Sequence, residues 1–212
     1  GAIAGYPLIK NCINQGFDAI EYINGNLDLA SVDEPLLAAK FEFLPVQHTV
    51  EAWLALIPKA IDLLSPLSPL QLRDFLLETS MRHAKAGEVI FEKGAAGSSV
   101  FAVFAGGIKI LIETGEDVLE IPMGAGQMFG EVGLISGRPR GSTVVSSEST
   151  ILLEIPRTAL LKLMLSQERI KNYVDDLVAT RMFSQVFGPS LSDESKKMIL
   201  AASELITVSP NQ

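Results

Sequence analysis

Cysteine is almost missing from this 212-residue chain, where Cys12 stands alone. A disulfide framework is thereby excluded, and a thiolate metal site has no second sulfur to build on. A lone thiol suits a reducing compartment, so the expected location is cytoplasmic. Histidine is nearly as scarce: His48 and His83 are the two in the chain, and neither has a partner at a metal-ligand or catalytic spacing. Positive charge is in deficit as well. Seventeen basic side chains face 25 acidic ones, a net charge of -8, with no Lys/Arg-rich stripe to offset it, so nucleic acid is not an expected partner. No apolar run approaches the roughly eighteen residues of a membrane span, no secretory leader is visible, and no membrane partner is expected. A Ser-His-Asp set, clustered metal ligands and a Walker loop are all lacking, so no residue here is assigned a catalytic role. Gly1 rather than Met opens the chain, and the expectation is a piece of a longer protein.

Nearly half of the residues, 48%, are apolar and 20% are charged, the balance of a globular chain rather than a disordered one. Three regions differ in pattern. Before residue 66 the chain reads as helix and loop: Pro7–Ile23 spaces its apolar residues at helical intervals, Asn26–Pro45 reads as a connector, and Ala52–Leu64 reads as a helix broken by Pro58. Ser68 then suits an N-cap with Pro69 at the first helical position, for a helix through about Thr79.

Residues 81–156 hold twelve of the seventeen glycines, and these punctuate short apolar runs: Val89–Phe91, Val100–Phe104, Ile108–Ile112, Val118–Ile121, Thr143–Ser146 and Ile151–Ile155. Ile108, Ile110 and Ile112 alternate with Lys109 and Leu111, the period of a strand with one core face. Many short strands at this spacing predict a sandwich or barrel. Residues 157–188 return to helix, with apolar side chains from Leu160 to Phe183 at spacings of three and four. That stripe fits first a helix packed on its own barrel, and then a dimer seam or a lid over a ligand. Gly188-Pro189 ends it.

The chemistry concentrates in Phe129–Val144, FGEVGLISGRPRGSTV. Gly130 permits close backbone approach, and Glu131 follows at once. Val132–Ser136 fits one helical turn whose first N–H groups favour an anion. Gly137-Arg138-Pro139 turns the chain and delivers Arg140 just before a strand. A carboxylate and a guanidinium around such a turn suit a ligand with both a hydroxyl and an anionic oxyacid: Arg140 can hold two oxygens with its planar fork, and Glu131 can accept from a sugar hydroxyl. The same pattern also fits a Glu–Arg surface pair in a β-turn.

This stretch resembles the phosphate-binding cassette of the cyclic-nucleotide-binding domain family, through Phe129, Gly130, Glu131, Gly133, Leu134, Pro139, Arg140, Ser142, Thr143 and Val144. Upstream, Gly87, Ile90, Phe91, Gly94, Gly97, Val100, Phe101, Val103, Gly106 and Ile108 resemble the family's first strands. The resemblance covers roughly Leu54–Phe187 and implies an α+β fold, an antiparallel jelly-roll-like β-barrel flanked by N- and C-terminal helices. It implies that Glu131 binds the ribose 2′-hydroxyl and Arg140 the exocyclic phosphate oxygens, with main-chain N–H groups around Gly133, Leu134, Gly141 and Ser142 completing the cradle. Phe129, Gly130 and Val132 belong to the same ligand-binding set. Gly141 stands where the family commonly has Ala, Ser or Thr. A hydroxyl there accompanies guanine recognition in the family, so its absence leans toward cAMP over cGMP. Tyr173, Met182 and Phe183 are the candidates to cap the purine. Arg138 is expected to point to solvent, and His83 to be ordinary surface.

The two ends suggest a larger parent. GAIAGYPLIKNCINQG resembles the last flavin-contacting segment of pyridine-nucleotide-dependent flavoprotein oxidoreductases, although Ala2 stands where that family has an aspartate, and an unrelated amphipathic helix fits too. FAD would then belong to a longer parent enzyme carrying an upstream flavoprotein domain. At the other end, the segment that starts at Leu191-Ser192 can be laid on the one that starts at Leu67-Ser68, so 189–212 reads either as the start of a second repeat or as one more helix. The expected division is therefore 1–50, helix and connector; 51–188, the nucleotide-binding domain; and 189–212, a helical extension. The expected function is a regulatory module that binds a cyclic purine nucleotide and signals to attached domains, with a homodimer through the C-terminal helices as one arrangement.

Overall fold

The computed structural model describes residues 33–42, 44–114 and 117–187, with isolated positions on either side. The expected helix Pro7–Ile23 and the 189–212 extension lie, apart from those isolated positions, outside the described residues. Helices α1 (Glu34–Phe41), α2 (Val50–Ala60) and α3 (Pro69–Glu78) precede eight strands. These are β1 (Ser80–Ala84), β2 (Val89–Phe91), β3 (Ser99–Ala105), β4 (Gly107–Thr114), β5 (Asp117–Gly124), β6 (Met128–Phe129), β7 (Thr143–Ser146) and β8 (Thr150–Pro156). Helix α4 (Glu131–Ser136) lies between β6 and β7, and α5 (Arg157–Ser166) and α6 (Glu168–Phe187) come after β8.

The strands form two four-stranded antiparallel sheets, in the orders β1-β8-β3-β6 and β2-β7-β4-β5. This corrects the expectation of a closed barrel. Closure needs a hydrogen-bonded ladder between the sheets, and the edge strands β2 and β6, three and two residues long, are too short to supply one. The sheets instead face each other across a core of Phe101, Val103, Ile108, Phe129, Val144 and Leu152.

Strands β3 and β8 are apolar on both faces because they are sandwiched. Phe101, Val103 and Leu152 point between the sheets, while the alternate residues Val100, Ala102, Leu153 and Ile155 join a second core with the helices. That second core extends to Leu37 and Phe41 of α1 and to Trp53, whose ring packs against Phe41 and Phe104. The segment read as a connector thus contains a helix, α1, with Leu37 and Phe41 buried one turn apart.

The remaining helices obey their end signals. Ser68 Oγ accepts from the Gln71 amide and Gln71 Oε1 accepts from the Ser68 amide, a complete capping box around Pro69. Helix α2 runs through Pro58, contrary to the expected break. The proline lies in the last turn, so the single hydrogen bond it removes would have gone to Leu54, and the helix ends two residues later. The stripe from 157 to 188 is two helices, not one, separated by Gln167 in an extended conformation. Ile170, Val174 and Val178 of α6 are buried against the helical core.

Candidate functional site

The cassette folds as a hook between β6 and β7. Gly130 adopts a left-handed backbone at φ 84°, a region that strains any residue with a Cβ, and this starts α4 directly at Glu131. The Arg138 amide donates back to the Gly133 carbonyl at 3.0 Å and closes the turn. Arg140 is then pinned to the β2–β3 loop: its amide donates to the Ala95 carbonyl at 2.9 Å, and its carbonyl accepts from the Gly94 amide at 2.8 Å.

These constraints place the Arg140 side chain inward, where the residue is 6% exposed. Its Nη1 donates to the Gly130 carbonyl and its Nη2 to the Ser99 carbonyl, both at 2.6 Å, and its Cζ lies 4.2 Å from the centre of the Phe91 ring. A Cβ at Gly97 would overlap the guanidinium, so this approach requires glycine. Burial holds the Arg140 pKa below its ordinary value, with the charges of Glu131 and Glu154 acting in the opposite direction; an arginine remains cationic all the same. Two of its five N–H donors are used by the carbonyls, and its buried Nε has no hydrogen-bond partner.

Glu131 is 1% exposed. Its Oε1 accepts from Arg181 Nη1 at 2.6 Å, whereas its Oε2 is buried without a partner. Each of the two side chains singled out in the sequence therefore buries one unsatisfied polar atom. An unmet buried donor or acceptor costs about 1–3 kcal/mol, and such atoms are uncommon in folded proteins.

Both residues open onto one cavity of about 750 Å³, within the usual range for small-molecule sites. All of the sequence-derived ligand-binding set line it except Leu134, whose side chain is buried in the helical core. Phe129, Gly130, Val132, Gly133, Gly141 and Ser142 thus sit beside Glu131 and Arg140. The far wall is apolar and comes from the β4–β5 pair, with Ile110, Ile112, Leu119 and Ile121. The cavity is polar at the cassette and greasy along the sheet, a shape suited to a ligand with an anionic end and a flat apolar end.

The expected purine caps do not line it: Tyr173, Met182 and Phe183 are replaced there by Arg181 and Ser184 of α6. A sequence signal for Arg181 exists. It lies three residues after Val178, on the stripe of Ile170, Val174 and Val178, so a charged residue occupies an inward-facing position. Arg138 is exposed as expected. His83 is a surface residue whose Nε2 meets Ser149 Oγ at 2.8 Å, and His48 packs edge-on against Trp53. Among the described residues no cluster of His, Cys, Asp or Glu could hold a metal, and no helix is long and apolar enough to cross a membrane.

Known proteins share part of this chain's sequence and fold. A cyclic nucleotide-gated potassium channel of Rhizobium etli is 33% identical over 96 residues, 45% of this chain and 26% of the channel. A cAMP-dependent protein kinase regulatory subunit of Blastocladiella emersonii is 25% identical over 136 residues, 57% of this chain and 34% of that protein. The chain therefore spans about a third or less of the length of these curated relatives. Among solved structures, the sensor domain of the transcriptional regulator DNR from Pseudomonas aeruginosa superposes with a TM-score of 0.55 at 18% identity, over 66% of this chain and 95% of that one. The regulatory domain of Toxoplasma gondii PKA with cAMP gives 0.51 at 19%, over 63% and 49%. At these identities the structures speak to the fold. They lend no support to the flavoprotein resemblance of the first residues. The model of the cyclic nucleotide-binding domain family matches residues 81–167, the span from β1 to the end of α5 that encloses the whole cassette. Residues 81–167 of this chain are thus similar to a cyclic nucleotide-binding domain.

Proposed function

We propose that the cavity binds a cyclic purine nucleotide and that α6 passes its occupancy to attached parts of a longer protein. The observation that carries this reading is that Glu131 and Arg140, which line one cavity from the two ends of the cassette, each carry a buried polar atom without a hydrogen-bond partner. A ribose 2′-hydroxyl donating to Glu131 Oε2 satisfies the first. The exocyclic phosphate oxygens, taking the Arg140 N–H donors left over from Gly130 and Ser99, satisfy the second. Main-chain N–H groups around Gly133, Gly141 and Ser142 complete the cradle, and the purine lies along Ile110, Ile112, Leu119 and Ile121. Gly141 brings no hydroxyl to the base, which favours cAMP over cGMP.

Signalling is then a population shift. Helix α6 has Val174 and Val178 in the helical core and Arg181 and Ser184 at the cavity, so a ligand that contacts its last turns biases the position of the whole helix. Thermal unfolding of the chain with and without cAMP or cGMP tests the ligand assignment. A ligand at a hundred times its Kd stabilises the fold by about 2.7 kcal/mol, so the unfolding midpoint should rise with either nucleotide, more at equal concentration for cAMP, and far less in Arg140→Ala. Midpoints that neither nucleotide moves would count against the assignment.

A further inference from the structure

Glu131 is held from outside its own cassette. Its one charged hydrogen-bond partner among the described residues is Arg181, fifty residues later in the chain and on a different element. The nearest cation on the cassette itself, Arg140, is turned to the carbonyls of Gly130 and Ser99 instead. The bond from Arg181 is short, at 2.6 Å, and it joins a carboxylate that is 1% exposed to a guanidinium that is 27% exposed. It fixes one oxygen of Glu131, a residue that lines the cavity, and leaves the other, Oε2, buried without a partner.

Resting on the nucleotide reading above, we infer that Arg181 is a positioning residue for Glu131: it sets the carboxylate so that one oxygen reads the ligand's ribose hydroxyl, and it makes that discrimination depend on the position of α6. The chemistry is asymmetric. A carboxylate at full burial needs a compensating charge, and removing one member of such a pair leaves the other uncompensated. Without Arg181, Glu131 loses the one charged bond that fixes its carboxylate, and Oε2 is no longer held in a set position. The phosphate contacts of Arg140 stand on Gly130, Ser99, Gly94 and Ala95, through bonds that do not involve Arg181. Loss of Arg181 therefore weakens recognition of the hydroxyl selectively and leaves recognition of the phosphate in place.

The test is the affinity of the 212-residue chain for cAMP and for 2′-deoxy-cAMP, in the wild type and in Arg181→Ala, Arg181→Lys and Arg181→Ala/Glu131→Gln. The wild type should prefer cAMP by roughly tenfold or more, the worth of one hydrogen bond to a charged acceptor. Arg181→Ala should lose most of that preference mainly by binding cAMP less well, Arg181→Lys should recover part of it, and the double variant should discriminate no better than Arg181→Ala. A helix that merely covers the cavity would weaken both nucleotides equally, so an unchanged ratio in Arg181→Ala overturns the inference while the nucleotide reading stands. A wild type with no preference overturns it likewise. Binding of neither nucleotide by the wild type would remove the nucleotide reading itself, and this inference with it.

Discussion

Arg140 shows how the cassette places a cation in a largely buried position at the edge of a cavity. Its guanidinium is desolvated, stacked on Phe91 and bonded to two carbonyl oxygens rather than to a carboxylate. The arrangement depends on Gly97, where even a methyl group collides with the guanidinium. Gly97→Ala should therefore displace Arg140 and weaken nucleotide binding by roughly tenfold or more, while far-ultraviolet circular dichroism stays that of the parent. An unchanged affinity would show that Arg140 tolerates another position. Asp74 offers a second test at the same scale. Burial, and next the charge of Glu78 one turn on, raise its pKa above the ordinary carboxylate value. A raised pKa in the folded state means that Asp74 favours folding when protonated, and that this contribution is lost as pH rises through the folded value. Asp74→Asn should thus stabilise the chain at pH 7 by a few tenths of a kcal/mol, about the size of an i,i+4 like-charge pair. It should have little effect below about pH 3, where both states are protonated; denaturant melts at the two pH values measure the difference. The cassette residues were legible in the sequence because they are neighbours in the chain and their spacing is local. Arg181 was not read from it, because its role depends on where α6 crosses the cavity.

The element best explained by its surroundings is α3. Its start was readable from Ser68-Pro69 and Gln71, since a capping box is a pattern of three residues. Its end is held by a residue that no local pattern indicates: Lys40 Nζ donates to the carbonyls of Leu76, Leu77 and Thr79 at 2.8, 2.5 and 2.5 Å, a cation where the helix dipole favours one. In return Arg73 of α3 bonds Asp33 and Glu34 at the start of α1. Helix α1 is thus tied to α3 at both of its ends, and Lys40→Met should cost about 1.5–3 kcal/mol of stability, the range for hydrogen bonds to a charged group, read from chemical denaturation. A loss below about 0.5 kcal/mol, a fraction of one such bond, would mean that the carbonyls find other partners. The strands divide in the same way. β3, β4, β7 and β8 were readable from their apolar runs. β1, Ser-Met-Arg-His-Ala, pairs along β8 but carries too many polar residues to read as a strand, and β6 is two residues long. Which strands share a sheet is fixed by pairings such as β1 with β8, far apart in the chain, and local alternation says nothing about that. The open pair of sheets was for this reason beyond the sequence, whereas the alternation that faces Ile110 and Ile112 to the cavity was within it.

At the scale of the molecule, a chain of net charge -8 presents a cavity with two arginines, Arg140 and Arg181, and one glutamate, Glu131. With Glu131 and Arg181 neutralising each other, the pocket offers one uncompensated cation, which matches the single negative charge of a cyclic phosphodiester. The two cores divide the work. The one between the sheets supports the cassette, and the helical one joins α1, α2, α3 and α6 to the outer face of β3 and β8, so a ligand that moves α6 acts on packing shared with the N-terminal helices. The most direct measurement of the central claim is calorimetric titration of the 212-residue chain with cAMP, alongside Arg140→Ala. The account predicts saturable binding at one site per chain, weakened about 10- to 150-fold in the variant, the equivalent of roughly 1.5–3 kcal/mol. Absence of binding by the wild-type chain, or equal affinity in Arg140→Ala, would contradict it.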